Sequence, residues 1–365
     1  MLALLLAAGI AAQTLTVPQI MAEPSIAGMR AEGEKLSPDG SMVVYLWSAE
    51  GKLPRDLYLS STSRNDARVI LRVSDLPKPA ATPTPPNKLD YGLIVKDDFV
   101  KARENQLGGF EWSPDSKRLL FSQGGDLYVL TLGESAPKRY TKTQSPEVGA
   151  RFVDNTRILY QQGGNLFILN ISDATTVQLT KEANIAQFIA VGGAAVSKDG
   201  SMIAYTVSDT SKNRALVVPN YLDEFTAAPT VRRGWAEQKL YVTPADGSRD
   251  TPFEIKLPKQ EGVGNFRRTV WAADNRSLIV DRVDKDTKRR QLFYVFHAGS
   301  KDEQIITIAD ETDEKWQAPP SSIVEPNPKD ANQLLFCSEK DGFNHIYLAK
   351  LSPEPSSPAA APAAT

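Results

Sequence analysis

The sequence is poor in the residues that build disulfides and metal centres. Its 365 residues include one cysteine, Cys337, and two histidines, His297 and His345. A single cysteine cannot form an intrachain disulfide, and a cysteine-based metal site needs more than one thiolate. Because Cys337 stands in the strand-like run LLFCSE, we expect a buried and unreactive thiol. The sequence therefore predicts neither a metal site nor a cofactor.

A large excess of charge of either sign is also missing. The chain has 42 Lys and Arg residues against 44 Asp and Glu residues, which gives a formal net charge of −2. Phosphate binding needs a clustered basic excess, so this balance excludes nucleic acid as the main partner. The basic clusters Arg232–Arg233 and Lys288–Arg290 are short, which is typical of a solvated loop or strand end.

Long apolar runs are missing beyond the N-terminus. Leu2–Ile10 is a short apolar run followed by small residues, a pattern typical of a secretory signal and its cleavage site, although a basic n-region is missing. The run is too short to span a bilayer. We predict a signal peptide over residues 1–13 and export to the periplasm or the extracellular space, with a buried N-terminal segment as the alternative. We predict no integral membrane segment beyond this signal.

A pattern that recurs six times organises the remaining chain. Each copy has an aromatic or apolar residue, a tight turn built on Pro-Asp, Asp-Gly or Asp-Asn, an apolar strand, a polar turn and a second apolar strand. Asp, Asn and Gly favour such turns because they tolerate positive φ or bond to the local backbone. Runs such as RLLFS and RILYQ are rich in residues that favour strands. The copies begin at Leu36, Trp112, Phe152, Val196, Trp271 and Val324.

These repeats predict an all-β fold. An isolated hairpin cannot bury both of its faces, whereas radial stacking of copies buries them, as in a β-propeller. We predict a β-propeller of about six recognisable four-stranded blades over residues 15–351, and the sequence leaves open whether the ring is closed or incomplete. The proline-rich segment Leu76–Gly92 predicts a surface loop. The Pro/Ala-rich tail 352–365 predicts disorder.

A second insertion, Val218–Gly247, carries the candidate binding residues. We expect an irregular loop and then the strand KLYVTP, a delayed outer strand of the blade that begins at Val196. Trp, Tyr and Arg are enriched at binding hot spots, and a guanidinium can bind both oxygens of a carboxylate. The loop therefore predicts a site for a peptide or an acidic protein surface. The candidate residues are Tyr221, Arg232, Arg233 and Trp235, with Phe225 beside them.

A structural role for these residues is the alternative. The aromatic side chains then cover their own blade, and the arginines pair with Asp223 and Glu224. Loops held by a rigid scaffold usually supply recognition, so we keep the binding hypothesis beside the structural one.

Three longer motifs resemble one protein family. They are SEKDGFNHIYL (Ser338–Leu348), PTVRRGWAEQKLYV (Pro229–Val242) and VKARENQLGGFEWSPDS, which leads into the repeat at Trp112. They resemble the N-terminal β-propeller domain of dipeptidyl peptidase IV-like proteins, in the prolyl oligopeptidase family of serine peptidases. The resemblance covers roughly Leu15–Leu351. Shorter repeats such as LSPDGSMVVY also fit TolB-type propellers.

The resemblance implies a propeller of about six to eight blades, followed by an α/β-hydrolase domain. In that family a Ser-Asp-His triad performs catalysis, with the serine in a Gly-x-Ser-x-Gly elbow. This sequence contains no such elbow, and we predict structural roles for His297 and His345 because a triad needs a histidine beside an activated serine. The last repeat resembles a late but internal blade, which favours a truncated or split relative over a self-sufficient ring. We expect no hydrolysis of dipeptide substrates by this chain alone.

The resemblance also raises the question of dipeptidyl specificity. Peptidases of this family hold the free amino terminus of the substrate with a pair of glutamates shortly before a blade begins. The matching stretch here, Thr180–Gly200, has the single glutamate Glu182 and no adjacent acidic pair. The pair Asp223–Glu224 lies in the later insertion. We therefore assign the amino-terminus clamp to no residue.

The sequence leaves two functions open. The first is a non-catalytic propeller module of a peptidase system, which gates or docks peptides for an α/β-hydrolase domain absent from this chain. The second is a stand-alone exported propeller of TolB type that acts as a protein-binding scaffold. The expected partner is a peptide or protein, and in the first case a separately encoded hydrolase. A propeller enzyme with its own central site is disfavoured because the sequence shows no cluster of carboxylates or histidines with recognisable spacing.

Overall fold

The computed structural model describes residues 15–22, 26, 28–77, 107, 109–217, 230–233, 236–258, 264–315 and 323–352. Strands dominate this part of the chain, and each of the six sequence repeats corresponds to one antiparallel sheet. In five repeats, the residue at which the repeat begins is the last residue of the first strand of its sheet. The predicted all-β propeller architecture is confirmed, with these sheets as its blades.

Blades 1 and 2 belong to the first compact unit of the chain, Met1–Lys142. Each is a four-stranded antiparallel sheet whose strands pair in chain order. The two blades share one apolar core, in which Leu57 and Leu119 are fully buried. The described helical segments of this unit are α1 (Val17–Ile20) and the 3-10 helix Val73–Asp75. The strands are β1 (Glu32–Leu36), β2 (Met42–Trp47), β3 (Asp56–Ser61) and β4 (Arg68–Leu71) in blade 1, and β5 (Phe110–Trp112), β6 (Arg118–Gln123), β7 (Asp126–Thr131) and β8 (Lys138–Arg139) in blade 2.

Blades 3 to 6 belong to the second unit, Thr143–Thr365. Blades 3, 4 and 5 are four-stranded, and blade 6 has three described strands. Apolar cores fill the spaces between successive blades of this unit. The strands are β9 (Val148–Phe152), β10 (Arg157–Gln162), β11 (Asn165–Asn170) and β12 (Thr175–Gln178) in blade 3; β13 (Ile189–Val196), β14 (Met202–Asp209), β17 (Glu237–Pro244) and β18 (Phe253–Ile255) in blade 4, interrupted by the hairpin of β15 (Arg214–Val217) and β16 (Thr230–Arg233); β19 (Gly264–Trp271), β20 (Leu278–Asp284), β21 (Arg289–Phe296) and β22 (Gln304–Thr312) in blade 5; and β23 (Val324–Pro326), β24 (Gln333–Ser338) and β25 (His345–Lys350) in blade 6.

The tight turn after the first strand explains the recurring Ser-x-Asp sequence. In blade 1, Asp39 accepts hydrogen bonds from the Ser37 hydroxyl at 2.5 Å and from the Ser41 amide at 3.0 Å. These bonds, led by the one from Ser37, lower the pKa of Asp39 to about 2. The same arrangement recurs at Asp115 in blade 2 and at Asp199 in blade 4. The Ser-x-Asp sequence recurs because these three turns use the same side-chain acceptor, an Asp carboxylate.

A tryptophan at the end of the first strand also links neighbouring blades. The indole N–H of Trp112 in blade 2 donates to the carbonyl oxygen of Lys35 in blade 1 at 3.1 Å. The indole N–H of Trp271 in blade 5 donates to the carbonyl oxygen of Ala195 in blade 4 at 2.9 Å. Each acceptor stands one residue before the end of the first strand of its blade, so the bond recurs at an equivalent position. Phe152 occupies this position in blade 3 and has no side-chain donor.

The position of KLYVTP in blade 4 differs from the prediction. The delayed strand is confirmed, since β17 contains KLYVTP and pairs with β14 along its whole length. It is the third strand of the sheet and not the outer one, because β18 pairs with its other edge. The insertion therefore interrupts the blade between its second and third strands.

The predicted solvated character of Lys288–Arg290 is wrong for Arg290. Its side chain is 1% exposed and forms an ion pair with Asp281 at 3.0 Å. Successive side chains of a strand point to opposite faces of the sheet. Arg290 therefore faces blade 6, where it donates to the carbonyl oxygen of Cys337, while Arg289 lies on the other face. The predicted burial of Cys337 is confirmed.

Candidate functional site

The insertion that the sequence singles out for binding contains one strand, β16, of a hairpin whose other strand, β15, directly precedes it. Strands β15 and β16 pair antiparallel, with Ala215 opposite Arg232 and Arg214 opposite Arg233. The prediction of an irregular loop is wrong for Thr230–Arg233, because Thr and Val in TVRR favour strand structure. The two candidate arginines occupy successive backbone positions of β16. The other residues of the prediction, Tyr221, Asp223, Glu224, Phe225 and Trp235, lie outside the described residues.

The hairpin leaves blade 4 where β14 ends and β17 begins. Asp209, the last residue of β14, pairs with Glu237, the first residue of β17. Hydrogen bonds from Ser211 lower the pKa of Asp209, so this carboxylate is ionised and fixes the turn out of β14. Lys212 Nζ lies 3.4 Å from Glu237 Oε2, and both side chains are exposed. Exposed ion pairs contribute little to stability, so the base of the hairpin is a solvated, polar region.

A loop between blades 3 and 4 is tied to this base. The loop, Lys181–Phe188, contains the 3-10 helix Ile185–Gln187 and ends where β13 begins. Phe188 has a left-handed φ of +60°, and its carbonyl oxygen accepts a hydrogen bond from the Thr210 amide at 3.1 Å. Ile185 is 75% exposed and Phe188 is 43% exposed. Two apolar side chains therefore stand in solvent beside the base of the hairpin.

Glu182, in the same loop, is held in place by hydrogen bonds. The Tyr205 hydroxyl donates to Glu182 Oε1 at 2.9 Å, and the Lys181 amide donates to Oε2 at 2.8 Å. Burial, followed by the negative charge of Glu182, raises the pKa of Tyr205 well above its ordinary value. The tyrosine therefore remains a donor to Glu182 at physiological pH. Glu182 is the only carboxylate of this fully described loop.

We define the blade-4 site as the loop Lys181–Phe188, the base Asp209–Asn213 and the strands β15 and β16. The hairpin forms a two-stranded sheet of its own among the described residues, so each of its strands has one edge without a strand partner there. A free strand edge can bind an extended peptide as an additional strand. Sequence reasoning missed Ile185 and Phe188, although two large apolar residues in the polar stretch KEANIAQF were an available signal.

The histidines do not enter this site. His297 is an exposed residue that directly follows β21, and His345 Nδ1 lies 2.9 Å from Asp341 Oδ2 in a turn of blade 6. Within the described ranges, no group of three or more His, Cys, Asp or Glu side chains is arranged to hold a metal ion. The blade-4 site offers backbone strand edges, the apolar side chains of Ile185 and Phe188, and the charged residues of the hairpin base.

Comparison with known proteins identifies the family to which this architecture belongs. The repeated blades, with their shared turn hydrogen bonds, define the class of protein, which is the β-propeller. The family of the dipeptidyl peptidase IV (DPP IV) N-terminal region matches residues 142–361, which is more than half of the chain. The chain belongs to this family, and the resemblance carried by its sequence motifs is confirmed.

A solved structure of a peptidase shows a similar fold. The crystal structure of Porphyromonas gingivalis dipeptidyl peptidase 4 matches with a TM-score of 0.62 and 16% sequence identity. The match covers 87% of this chain and 44% of that chain. At this identity the likeness concerns the fold alone, and the chain spans less than half the length of that peptidase.

Proposed function

We propose that this chain is the peptide-docking propeller of a serine peptidase system and presents peptides to an α/β-hydrolase domain. Membership of the DPP IV N-terminal family supports the peptidase context. The observation that carries the proposal is the blade-4 site, where a hairpin whose outer edges have no strand partner among the described residues stands beside the exposed side chains of Ile185 and Phe188. The sequence contains no nucleophile elbow, so the hydrolase of this proposal is a separate domain or chain.

Peptide binding at the hairpin uses backbone and side chains for different purposes. An added strand forms main-chain hydrogen bonds, which give affinity without sequence preference, while side-chain contacts give specificity. Ile185 and Phe188 supply apolar area near the hairpin base. Arg232 and Arg233 supply two positive charges on β16, and a guanidinium matches a peptide carboxylate in geometry as well as charge. The proposed ligand is an extended peptide with acidic and apolar residues.

Dipeptidyl specificity is not part of the proposal. Both oxygens of Glu182 already accept hydrogen bonds, from the Tyr205 hydroxyl and from the Lys181 amide. A single, engaged carboxylate differs from the glutamate pair that the family uses for a free amino terminus. The proposed site therefore binds peptides along their length.

We also propose that the chain is exported, on the basis of its N-terminal apolar run. Among the helices that the structure describes, none is long and apolar enough to cross a membrane. Mass spectrometry of the N-terminus of the natural protein tests the proposal. Cleavage near Ala12 or Gln13 together with recovery outside the cytoplasm is the expected result, and an intact Met1 on cytoplasmic protein contradicts it.

The binding proposal is tested with short extended peptides in matched pairs. Each pair consists of an Asp/Glu-containing peptide and its Asn/Gln counterpart, titrated against the full chain by calorimetry. We expect Arg232→Ala/Arg233→Ala to weaken binding of the acidic member by at least about tenfold, since charge-assisted hydrogen bonds are lost. Binding of the Asn/Gln member should change far less.

The matched control for this variant is Arg64→Ala/Arg68→Ala in blade 1, which removes two exposed arginines elsewhere. We expect the control to bind as the wild type does and both variants to keep the wild-type melting temperature. A fall in melting temperature with unchanged binding shows that the insertion is only structural. Binding of a folded protein partner without any peptide binding favours the scaffold function instead.

A further inference from the structure

An acidic cavity lies in blades 5 and 6, separate from the blade-4 site. Its volume is about 450 Å³, and it lies between the end of β22 and the turn that joins β24 to β25. Four carboxylates line it against one ammonium group. The charged lining residues are Asp310, Glu311, Asp313, Glu339 and Lys340.

Three of these charged groups are already engaged by the protein. Asp310 accepts hydrogen bonds from Arg289 Nε at 2.7 Å and Nη2 at 2.5 Å. Asp313 accepts a backbone amide at 2.7 Å. Lys340 Nζ lies 4.1 Å from the centre of the Tyr347 ring. The remaining carboxylates, Glu311 and Glu339, are therefore the ones that decide what the cavity can hold.

The side chain of Glu311 is largely buried, and the nearby positive charge does not balance its carboxylate. Its side chain is 10% exposed, and its Oε1 atom has no hydrogen-bond partner among the residues that the structure describes. Arg290 Nη1 lies 4.0 Å from Glu311 Oε2, beyond hydrogen-bond distance. Arg290 already donates to both oxygens of Asp281 and to the carbonyl oxygen of Cys337. One buried guanidinium thus faces two carboxylates. Its hydrogen bonds go to Asp281 and not to Glu311.

A buried carboxylate without a full partner costs free energy, which an added cation offsets. We propose that this cavity binds a guanidinium or ammonium group through Glu311, with Glu339 as the second carboxylate. A guanidinium presents five N–H donors in a planar fork and can bridge carboxylates on different walls of a cavity. A divalent metal fits less well, because Mg²⁺ and Ca²⁺ need several oxygens that converge on one point and the described residues offer no such group.

The cation can come from a free small molecule or from a side chain of a peptide or protein. Both sources present the same chemistry to Glu311, so the experiment has to separate them. The site uses residues of blades 5 and 6 only. The inference is therefore independent of the peptide-docking function proposed for the blade-4 site.

Calorimetric titration of the full chain tests the site with four probes. They are N-acetyl-arginine amide, a capped Gly-Arg-Gly peptide, the corresponding Gly-Gln-Gly peptide and Ca²⁺. We expect both arginine probes to bind and the glutamine peptide not to bind. Glu311→Gln, which keeps the shape of the side chain, should weaken arginine binding by at least about tenfold because a charge-assisted hydrogen bond is lost. Glu339→Gln should weaken it by a smaller factor.

The matched control is Glu50→Gln, which removes an exposed carboxylate of blade 1 and should leave arginine binding within about twofold of wild type. Tighter binding of the peptide than of the amide assigns the site to a peptide or protein side chain, whereas equal binding assigns it to free cations. The proposal is overturned if neither arginine probe binds the wild type, if Glu311→Gln and Glu339→Gln both bind as the wild type does, or if Ca²⁺ binds and Glu311→Gln abolishes that binding.

Discussion

Blades 5 and 6 are both antiparallel sheets whose strands pair in chain order, but their surroundings differ. On the face of blade 5 that meets blade 6, Ile279, Leu292 and Tyr294 are at most 1% exposed. On the face of blade 6 that points away from blade 5, Leu335, Ile346 and Leu348 are 44%, 63% and 52% exposed. The residue types are alike, so burial in this fold depends on the neighbouring blade and not on the strand itself.

The register of blade 6 explains why its exposed residues form one surface. Leu335 pairs with Leu348, and Cys337 pairs with Ile346. The alternating residues Leu334 and Phe336 point to the other face and pack against blade 5. Strand alternation thus places Leu334 and Phe336 in the core and leaves Leu335 exposed, while Cys337, on the face of Leu335, is buried.

The two blades also differ in how they hold charge. Arg290 and Asp281 form a buried ion pair in blade 5, where blade 6 supplies the carbonyl oxygen of Cys337 as a third partner. In blade 6, the Asp341 carboxylate is exposed and accepts a hydrogen bond from the Tyr347 hydroxyl, with Nδ1 of His345 at 2.9 Å. A covering neighbour turns a charge pair from a surface feature into part of the core, where breaking it becomes costly.

The largest effect is expected from breaking the buried ion pair. Arg290→Met leaves Asp281 buried without its partner and should lower the free energy of unfolding by about 3–5 kcal/mol. Arg290→Met/Asp281→Leu removes both charges and should recover most of this loss. Denaturant unfolding of the full chain measures both changes.

Arg289→Met is the control for this prediction because it breaks a half-exposed ion pair on the neighbouring residue. Its expected cost is at most about 1 kcal/mol. Equal losses for Arg290→Met and Arg289→Met would mean that blade 6 does not cover Arg290 in solution.

The second largest effect on stability is expected from truncating a side chain on the buried face of blade 6, compared with one on its exposed face. Leu334→Ala creates a cavity in the core shared with blade 5 and should cost about 2–5 kcal/mol. Leu335→Ala, one residue further along the same strand, removes an exposed side chain and should change stability by no more than about 0.5 kcal/mol. Urea unfolding at two protein concentrations measures both. A loss for Leu335→Ala that matches Leu334→Ala and grows with protein concentration would show that another molecule covers this face.

The fold is largely predictable from the sequence because its signals are local. The turn bonds of Asp39, Asp115 and Asp199 span only a few residues, so each blade leaves its own signature in the chain. The burial of Arg290 is not predictable in this way, because its acceptor on Cys337 is 47 residues away. Sequence reasoning can place a residue on a strand, but it cannot show which neighbouring blade covers it.

The candidate site is less predictable for the same reason. Strand β16 of the insertion carries Arg232 and Arg233, and their binding role stays a prediction. The loop beside it became visible only through the bond between Phe188 and Thr210, which lie 22 residues apart. Tyr221 and Trp235 lie outside the described residues, so their binding role stays a prediction.

A third and smaller effect concerns how blade 5 is joined to blade 4. The repeat of blade 5 begins with Trp271, whose indole N–H donates to Ala195, whereas the repeat of blade 6 begins with Val324, which has no side-chain donor. Trp271→Phe removes one hydrogen bond and should cost about 1 kcal/mol beyond the loss of ring contacts. Denaturant unfolding of Trp271→Phe and Trp112→Phe provides the measurement, and the two variants should behave alike because each breaks the equivalent bond. No loss in either variant would mean that the indole bonds do not join the blades.

The smallest effect lies in the exposed turn of blade 6. Hydrogen bonds from the Tyr347 hydroxyl and then from His345 hold the pKa of Asp341 below its ordinary value of 3.8. A carboxyl group with a lowered folded-state pKa adds stability that is fully present above the unfolded-state pKa and is lost as the pH falls through the folded-state pKa. Because the turn is open to solvent, this contribution to stability should be small, and the pKa itself is the better observable.

Tyr347→Phe removes the leading hydrogen bond, so NMR titration of the Asp341 carboxyl should show its pKa rising toward 3.8. Asp39, whose pKa of about 2 depends on Ser37 and Ser41 in blade 1, should not move in the same spectra. An unchanged pKa of Asp341 in Tyr347→Phe would show that solvent, and not the tyrosine, is the partner of this carboxylate.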